Sequence, residues 1–499
     1  MTALKIYVQE KQKLLTGVNL TNSNGIIKYF SFFKQNNSCT KEPQKRSHKN
    51  LSYSSNNLTS LKVYLRLYAV VLSIGVSSMF MCSLDSVADN ILPSALLYLK
   101  KIFKSKVKGF GYWEHIVSAR IYGVAVGCVL TILISNKCGR KWPTFWATLM
   151  CLVGAILSAL IKQGQWGLYI AVLGRFINGV GSGLSQVIGS VMIAEIPAKQ
   201  HRGTLLATLT VWACIGELFG MTISLDHFLG TQKLWHYSLV VPSLILIPAL
   251  CFIFIAPDSP RYLFEIGKLE ECEESLKFYQ HPLDVPSSLE EIIEEITEAR
   301  KSQKKSIYDS DEDKSGDSSI LEMDRPLKTG NVYLFDYLKA RFRSRVFLKP
   351  LIVATIVQTF VHLDDWMWIY YSTNVFQSVG LSSKTAMRAS VFMSIPQAII
   401  SIGLLFFFEN FKRKSLLIYP TIFSIILSCI AGIGLTSSTG FLSRKNMAYL
   451  MPIIATADLS AAAVASESAY TIVPELFSQT DRVLGTAFVG IIQVKNICY

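Results

Sequence analysis

The sequence has little charge for its length. Only 17% of its 499 residues are Asp, Glu, Lys or Arg, and 51% are hydrophobic, whereas roughly a quarter of an ordinary soluble protein is charged. The charged residues are missing from apolar blocks of about 20 residues, which are long enough to cross a hydrocarbon layer of about 30 Å as helices. Because a bilayer core offers no water to unpaired backbone groups, such blocks have to be helical. The shortage of charge therefore predicts an all-α membrane protein whose first partner is the lipid bilayer.

The residue patterns of several other classes are also missing. The ten cysteines are scattered and form neither a disulfide framework nor a zinc-binding spacing. There is no Walker loop and no nucleophile–base motif, so we predict no enzyme, no cofactor and no metal site. A net charge of +14 would suggest nucleic acid in a soluble domain. Most of the basic residues flank apolar blocks, however, where the positive-inside rule explains them, so no nucleic-acid partner is predicted.

The apolar segments divide into two series. They fall near 65–84, 116–136, 143–161, 168–194, 204–225 and 236–255, and then near 348–373, 386–408, 416–435 and 447–473. We predict a disordered cytoplasmic tail over 1–62, a first transmembrane bundle over 63–263, a cytoplasmic helical and disordered linker over 264–346, and a second bundle over 347–499. A further apolar segment runs only from Val483 to Val494. About 12 residues are too few to span a bilayer, so we expect the last helices to be incomplete in this chain, within the eleventh.

Loop charges indicate the orientation. The basic clusters 136–141, 199–202 and 412–414 share a side with residues 1–62, which hold ten Lys or Arg and two acids. The positive-inside rule places that side, and the N-terminus, in the cytoplasm. Five lysines between residues 100 and 108 would then lie on the outer side of the membrane, which the positive-inside rule does not explain. Within the linker, the helical spacing of Lys268–Tyr279 and Leu289–Arg300 predicts two short surface helices.

Two loop patterns recur in the two series. Glu195 and Arg202 stand seven residues apart at a helix end, and Glu475 and Arg482 repeat this spacing in the second series. The loop 136–141, with Arg140, is matched in the second series by the loop with Arg413. Loops that recur in the same order at nearly the same offset indicate a structural duplication.

The glycine-rich run Gly174-Arg-Phe-Ile-Asn-Gly-Val-Gly-Ser-Gly183 has two interpretations. A dinucleotide loop would need a βαβ context, which is absent here. In a membrane helix, glycines four residues apart let two backbones approach closely. We therefore predict a packing face.

Together these motifs resemble a known family. The runs 174–203, Pro257–Leu263, Tyr370–Thr373 and 475–482 are similar to those of the sugar porters of the major facilitator superfamily, and the chain resembles a divergent, fungal-like member over about 63–494. The resemblance implies two six-helix bundles with a cytoplasmic helical insert between them. It also implies rocking of the bundles about a site near the midplane.

Charged residues at the loop ends predict a cytoplasmic latch where the two bundles touch. Its residues are Arg140, Glu195, Arg202, Arg413, Glu475 and Arg482. A single surface pair contributes only about 0–1 kcal/mol, but a network that is intact in only one state can bias a two-state equilibrium. The alternative is that these charges merely solvate helix ends.

Two charges lie deeper in the apolar segments, at Asp85 and Arg175. A charge in the membrane costs about 2.5–3.5 kcal/mol on insertion scales and usually has a partner or a task. The resemblance implies a proton-coupling pair, because proton-coupled members carry an aspartate at the first position and an arginine at the second. The alternative is a purely structural buried pair.

The positions that hold sugar in the family differ here. Amide side chains and a stacking aromatic suit sugars, but the family's amide positions fall on Thr210, Phe360, Val361 and Trp366, and its tryptophan falls on Tyr470. One amide, Gln358, lies a little under one turn from Val361. The predicted substrate-binding residues are Thr210, Gln358, Phe360, Val361, Trp366 and Tyr470. Acids at Asp364, Asp365 and Glu467, where the family is neutral, either form a cation or polyol site or face water.

The leading prediction is a secondary active transporter that couples protons to a sugar, polyol or similar small neutral solute. Two alternatives stay open: a transport-inactive sugar sensor, and an incomplete form of a longer porter. The plasma membrane is the expected location, with a vacuolar or other internal membrane second.

Overall fold

A computed structural model describes residues 49–81, 86–103, 106–162, 164–295, 338–339, 341–362, 365–436, 444–478 and 481–497. The predictions for the tail up to residue 48, for Asp85 and Asp364, and for the linker between 296 and 337 lie outside these residues.

The first part of the chain folds into nine labelled helices. They are α1 (Lys49–Gly75), which continues into a π-helical turn (Val76–Phe80), α2 (Ser86–Phe103), α3 (Lys106–Cys138), α4 (Lys141–Ala159), α5 (Gly164–Glu195), α6 (Arg202–Ile223), α7 (Leu246–Ile255), α8 (Pro260–Glu265) and α9 (Leu269–Tyr279). Residues 285–295 are also helical. The linker helix predicted over Lys268–Tyr279 is confirmed by α9, and the second begins earlier than expected, at residue 285.

The second part contributes six labelled helices. They are α10 (Arg345–Val361), α11 (Asp365–Ser378), α12 (Ser383–Leu405), α13 (Arg413–Thr436), α14 (Arg444–Leu476) and α15 (Arg482–Ile497). Among the described residues, nine helical stretches are long and apolar enough to cross a membrane. Their outer faces carry large apolar side chains such as Phe406 and Tyr419, which are 80% and 72% exposed. A surface of this kind requires a lipid environment, and the predicted all-α membrane fold is confirmed.

The glycine run of α5 is a packing face, as predicted. A Cβ on Gly179 would lie 2.1 Å from the carbonyl oxygen of Arg120, and one on Gly183 would lie 2.3 Å from that of Val124. Both oxygens belong to the backbone of α3, so any larger side chain would force α3 and α5 apart. The close approach of α3, α4 and α5 builds the core of the first bundle.

The first membrane helix of the second half is interrupted after Val361. In the second half, α10 ends at Val361, His362 leaves the helical conformation (φ −109°, ψ 14°), and α11 begins at Asp365. In the first half, the described residues run to Met81 and resume at Ser86, where α2 begins. Sequence analysis treated 348–373 as one segment and found no helix at α2. That helix is amphipathic, burying Ile91, Ala95 and Leu99 at four-residue spacing, so a search for uniformly apolar blocks overlooks it.

The two halves meet along a few helices. α6 packs against α12 and α14, α3 packs against α15, and α2 packs against α11. At the centre of this contact Cys214 of α6 is buried against Ala398 of α12 and Ala463 of α14. Small side chains let these three helices approach closely, so the line where α6 meets α12 and α14 is the middle of the molecule.

Candidate functional site

The first predicted ion pair is buried at one end of the first bundle. The Arg140 guanidinium donates from Nε and Nη2 to the two carboxylate oxygens of Glu195, both at 3.3 Å, and the side chains are 3% and 0% exposed. Ser259 donates to the same carboxylate at 2.5 Å. Gly139, with φ of 76°, turns the chain so that Arg140 can point back into the bundle. Burial opposes the charge of Arg140, but Glu195 and neighbouring acids outweigh it and raise the pKa of Arg140.

The equivalent pair in the second half is also an arginine and a glutamate, but it is more exposed to solvent. Arg413 donates to the carboxylate of Glu475, and the two side chains are 33% and 31% exposed. Arg413 and Glu475 occupy the positions in the second half that Arg140 and Glu195 occupy in the first. In each half, therefore, a loop arginine bonds the glutamate at the end of a long helix, and the duplication seen in the sequence is also a duplication of contacts.

The other two latch arginines have different partners. Arg202 bonds Glu291 of the helical stretch 285–295 at 3.1 Å. Arg482 donates to the carbonyl of Pro474 at 2.9 Å and lies close enough to Glu195 of the first half to interact electrostatically. The six predicted latch residues thus lie at the same end of the molecule. Four of them form two ion pairs, one within each half. Arg202 contacts the linker, and Arg482 lies between the halves.

A hydrogen bond also joins the halves at this end. Thr204, two residues after the start of α6, donates to Glu409 at 3.0 Å, just before α13. The adjacent Gly203 lies against the same group, because a Cβ there would be 2.5 Å from Arg413 Nη2. The two halves are therefore in contact at the latch end.

The linker helix is tied to the bundle by a second arginine that sequence analysis did not single out. Arg261 of α8 bonds Glu295, and it also contacts Glu291 at 3.4 Å, so Glu291 is shared with Arg202. The interior of this small subdomain is apolar, with Cys272 and Leu276 fully buried. Burial raises the pKa of the Cys272 thiol to about 12.

The halves also touch at the opposite end. Thr373 of α11 donates to the amide oxygen of Asn90 of α2 at 2.9 Å. Nearby, Arg388 lies 3.0 Å from His227, and Lys384 lies 3.7 Å from Asp226. The two halves therefore meet at both ends.

A polar cavity lies inside the first half, around one of the predicted coupling residues. It has a volume of about 20 Å³, and Arg175, Asn178 and Ser158 contribute to its lining. A second arginine, Arg120 of α3, lines the same cavity and is 2% exposed. It donates to the side-chain oxygen of Asn178 at 2.8 Å and to the carbonyl of Met81 at 2.6 Å. Sequence analysis missed Arg120, although a lone arginine inside the apolar segment 116–136 was a signal.

Two of the predicted substrate-binding residues have buried polar atoms that form no hydrogen bond with the described residues. Thr210 is 2% exposed and Gln358 is 3% exposed. Within the described part of the chain, the hydroxyl of Thr210 and the amide oxygen of Gln358 are buried with no hydrogen-bond partner. Because buried polar atoms are nearly always bonded, these two are suited to receive an external hydroxyl group.

The other predicted substrate-binding residues divide into two groups. Val361 is buried against Ala465 and Ala469 of α14. The ring of Tyr470 lies beside that of His362, with 5.5 Å between centroids and 50° between planes, and the Tyr470 hydroxyl accepts from Gln493 at 3.3 Å. These lie together around α14. Phe360 is 53% exposed and does not join them, and the side chain of Trp366 lies outside the described structure.

Three carboxyl groups are buried in the apolar part of the molecule. Glu217 of α6 accepts from Ser394 at 3.4 Å and from Gln397 at 3.2 Å, both in the other half. Asp458 of α14 accepts from Trp368 at 2.9 Å and also from two serines of α13. Glu467 is fully buried and accepts from Ser401 at 2.5 Å. Sequence analysis named only Glu467 of the three, and its burial removes the alternative that it faces water.

Two duplicated helical halves, each with an arginine–glutamate pair at the same end, define the major facilitator class of fold. Within that class the comparison with known families is specific. The profile described as "Sugar (and other) transporter" matches residues 70–495, and the chain belongs to this family. The resemblance drawn from the motifs is thereby confirmed.

Similar proteins agree with this assignment. The chain is 28% identical to Inositol transporter 4 of Arabidopsis thaliana over 68% of this chain and 54% of that protein. It is 25% identical to the facilitated glucose transporter member 2 of Gallus gallus over 76% of this chain and 65% of that protein. It therefore spans between about half and two thirds of the length of these relatives. These proteins are transporters, which confirms that the chain is not an enzyme.

A solved structure shows the same fold. The proton:xylose symporter XylE, bound to 6-bromo-6-deoxy-D-glucose, superimposes with a TM-score of 0.63 at 19% sequence identity, covering 86% of this chain and 87% of that one. The predicted major facilitator fold is confirmed.

Proposed function

We propose that this protein is a secondary transporter that moves a small neutral polyhydroxylated solute, a sugar or cyclic polyol, by alternating access. The observation that carries the proposal is the pair of equivalent contacts, Arg140–Glu195 and Arg413–Glu475, at one end of two halves that also touch at the other end. Solute can enter or leave only when one end opens. Ionic and hydrogen-bonded contacts that break at one end at a time would set the balance between the two open states.

The chemistry of the predicted substrate-binding residues favours a neutral solute with several hydroxyl groups. Thr210 and Gln358 offer buried oxygen atoms without partners among the described residues, and Tyr470 offers an aromatic ring at the position of the family's stacking tryptophan. A ring and a few polar atoms are what a sugar-sized polyol requires. The names of the similar proteins, which include inositol, glucose and xylose, support the same class of solute.

Proton coupling is proposed through Asp85 and Arg175. Arg175 lines a buried polar cavity together with Arg120, and Met81, four residues before Asp85, lines it too. Two guanidinium groups favour an ionised carboxyl in such a place. Protonating Asp85 would remove this attraction and change the packing of the first half, which would couple the proton to the conformation.

The membrane and the orientation are part of the proposal. The latch end carries the linker helices and the basic loops, so we assign it to the cytoplasm together with the N-terminus. The plasma membrane is the proposed residence, and a vacuolar or other internal membrane is second.

The test is transport by the purified protein in liposomes. Labelled myo-inositol, glucose and xylose are each offered for counterflow and for uptake driven by a proton gradient. We expect counterflow of at least one solute, and gradient-driven accumulation that disappears in Asp85→Asn while counterflow remains. Glu114→Gln, which removes an exposed acid at the start of α3, is the matched control and should leave both unchanged.

Two results would contradict the proposal. Folded protein that binds a solute, shown by thermal stabilisation, but gives no counterflow would indicate a sensor. Accumulation that is unchanged in Asp85→Asn and insensitive to an uncoupler would overturn the proton coupling and leave a facilitator.

A further inference from the structure

Glu467 is a carboxyl group with too few partners for a charge. It lies on α14 and is 0% exposed. One oxygen accepts from the Ser401 hydroxyl of α12 at 2.5 Å, while the other oxygen is buried and, among the described residues, accepts no hydrogen bond. An ionised carboxyl in an apolar interior without a cation or several donors is strongly unfavourable. A neutral carboxyl group needs fewer hydrogen bonds than a charged one, and the single bond from Ser401 is enough for the neutral form.

Asp458, nine residues earlier on the same helix, shows what a charge-stabilising site looks like in this protein. The indole of Trp368 and the hydroxyl of Ser428 donate to one of its oxygens, at 2.9 and 2.7 Å, and Ser424 donates to the other. Hydrogen bonds to the charged form favour that form. Asp458 is therefore equipped to stay ionised when buried, and Glu467, with one donor, is not.

Glu467 also lies beside the surface on which the two halves meet. Ala463, one turn before it on α14, contacts Cys214 of α6 in the other half. Gln397, one turn before Ser401 on α12, donates to Glu217 of α6 at 3.2 Å. A movement that separates α6 from α12 and α14 would therefore expose the neighbourhood of Glu467 to water.

Other charges near α14 are occupied elsewhere. Apart from α12, the charged groups and histidines with described side chains on α14 and the helices packed against it are Arg175 and Glu195 of α5, Arg202 and Glu217 of α6, Arg345 and Lys349 of α10 with His362 after it, Arg413 and Lys414 of α13, Asp458 and Glu475 of α14, and Arg482 of α15. Glu217 is bonded to Ser394 and Gln397, Glu195 to Arg140, and Arg413 to Glu475. On α12, Lys384 and Arg388 lie at the opposite end, near Asp226 and His227. Within the described part of the chain, none of these groups pairs with Glu467.

We propose that Glu467 is a second proton-binding site, in the second half of the molecule and separate from Asp85 and Arg175. It holds a proton while the halves are closed around it. When α6 separates from α12 and α14 and water enters, the O–H bond of the carboxyl breaks, the proton passes to water, and the carboxylate remains. This inference rests on the alternating movement of the proposed function. Acid then favours the closed form, and raising the pH favours the open one.

The first test observes the proton directly and needs no solute. Infrared spectra of the purified protein in lipid are recorded across a pH titration, and the carbonyl stretch of protonated carboxyl groups is followed. We expect a component that persists to neutral pH and is lost on further alkalinisation. It should be absent from Glu467→Gln and present in Asp458→Asn. If the difference spectra of Glu467→Gln and of the unchanged protein are the same, the proposal is overturned.

A second variant guards against misfolding of the first. Ser401→Ala keeps the acid and removes its hydrogen-bond donor, so the same component should move to higher frequency without losing intensity. A component that does not move in Ser401→Ala belongs to another carboxyl group and would contradict the assignment.

The transport assay separates this inference from the proposed function. In Glu467→Gln the site is fixed in its neutral form, so counterflow should continue while its dependence on pH becomes flatter than in the unchanged protein. Asp85→Asn should keep the infrared component. If no solute is transported but the component behaves as described, the proton site stands and the proposed function fails. If counterflow is normal but Glu467→Gln changes neither the infrared spectrum nor the pH dependence, only the proton site fails.

Discussion

At the scale of single residues, equivalent positions in the two halves have different surroundings. The Arg140–Glu195 and Arg413–Glu475 pairs join the same two structural positions, yet the first is almost fully buried and the second is about one-third exposed. Breaking a buried pair leaves an uncompensated charge and costs about 3–5 kcal/mol. Exposed pairs contribute about 0.2–1 kcal/mol because water screens them. The contribution of each pair to stability is therefore expected to differ although its chemistry is the same.

This difference predicts unequal effects of one substitution. Glu195→Gln should lower the apparent melting temperature in detergent several times more than Glu475→Gln, because only the first leaves Arg140 buried without its carboxylate. Thermal unfolding followed by intrinsic fluorescence measures both. A double-mutant cycle with Arg140→Gln and Arg413→Gln should give the larger coupling for the first pair. Equal shifts for the two glutamates would contradict the burial argument.

Arg120 predicts a second effect at this scale. In Arg120→Gln the side-chain oxygen of Asn178 and the carbonyl of Met81 lose a donor that lies 2.8 and 2.6 Å away. Leaving a buried polar group unsatisfied costs about 1–3 kcal/mol, so the melting temperature should fall clearly. Arg345→Gln, at the exposed start of α10, is the matched control and should change it little. Equal stability of the two variants would show that Arg120 is not part of the buried network.

Sequence analysis recovered the residues that occur in repeated patterns but missed several charged residues that occur singly. Glu195, Arg202 and their counterparts in the second half were visible as a repeat. Isolated charges inside apolar segments, namely Arg120, Glu217 and Asp458, belong to no repeated pattern, so the sequence did not mark them as functional. Their partners, such as Gln397 for Glu217, are distant in sequence, and only folding shows that contact.

At the scale of elements, periodicity identified the helices and failed at their interruptions. The uniformly apolar spans were recovered, while the amphipathic α2 and the division between α10 and α11 were not. The linker shows a similar limit. Its Glu-rich helical spacing predicted short surface helices, but the sequence did not show that Glu291 and Glu295 would meet Arg202 and Arg261 of the bundle.

These contacts predict that the linker helix is held by two carboxylates. In the double variant Glu291→Gln and Glu295→Gln, residues 285–295 should exchange amide hydrogen for deuterium faster, because Arg202 and Arg261 lose their charged partners. Hydrogen–deuterium exchange read by mass spectrometry measures this region alone. Glu290→Gln removes an exposed acid of the same helix and should leave the exchange unchanged. Faster exchange in this control would mean that net charge, not the two contacts, holds the helix.

At the scale of the whole molecule, the two halves contact each other at both ends. The two ends differ in the kinds of side-chain contact that they contain. The latch end has buried and exposed arginine–glutamate pairs with the linker helix packed beside them. The opposite end has an amide–hydroxyl contact, Asn90 with Thr373, and surface charges. Separating the halves at the latch end moves the buried Arg482 away from Glu195, whereas separating them at the opposite end breaks the exposed contact between Lys384 and Asp226. Salt and pH should consequently affect the two openings unequally.

The proposed cytoplasmic position of the latch end rests on the basic loops, and it can be tested without any substitution. Cys138 is exposed at the end of α3, two residues before Arg140, and Cys272 is buried in the linker subdomain at the same end. Reaction with maleimide needs an accessible thiolate, and the Cys272 thiol is both covered and held protonated by burial, with a pKa of about 12. In sealed right-side-out vesicles, a membrane-impermeant maleimide should modify neither residue. After permeabilisation it should modify Cys138 and still leave Cys272 unmodified, as read by peptide mass mapping. Modification of Cys138 in intact vesicles would place the latch end outside and reverse the orientation, whereas modification of Cys272 after permeabilisation would show that the linker subdomain opens.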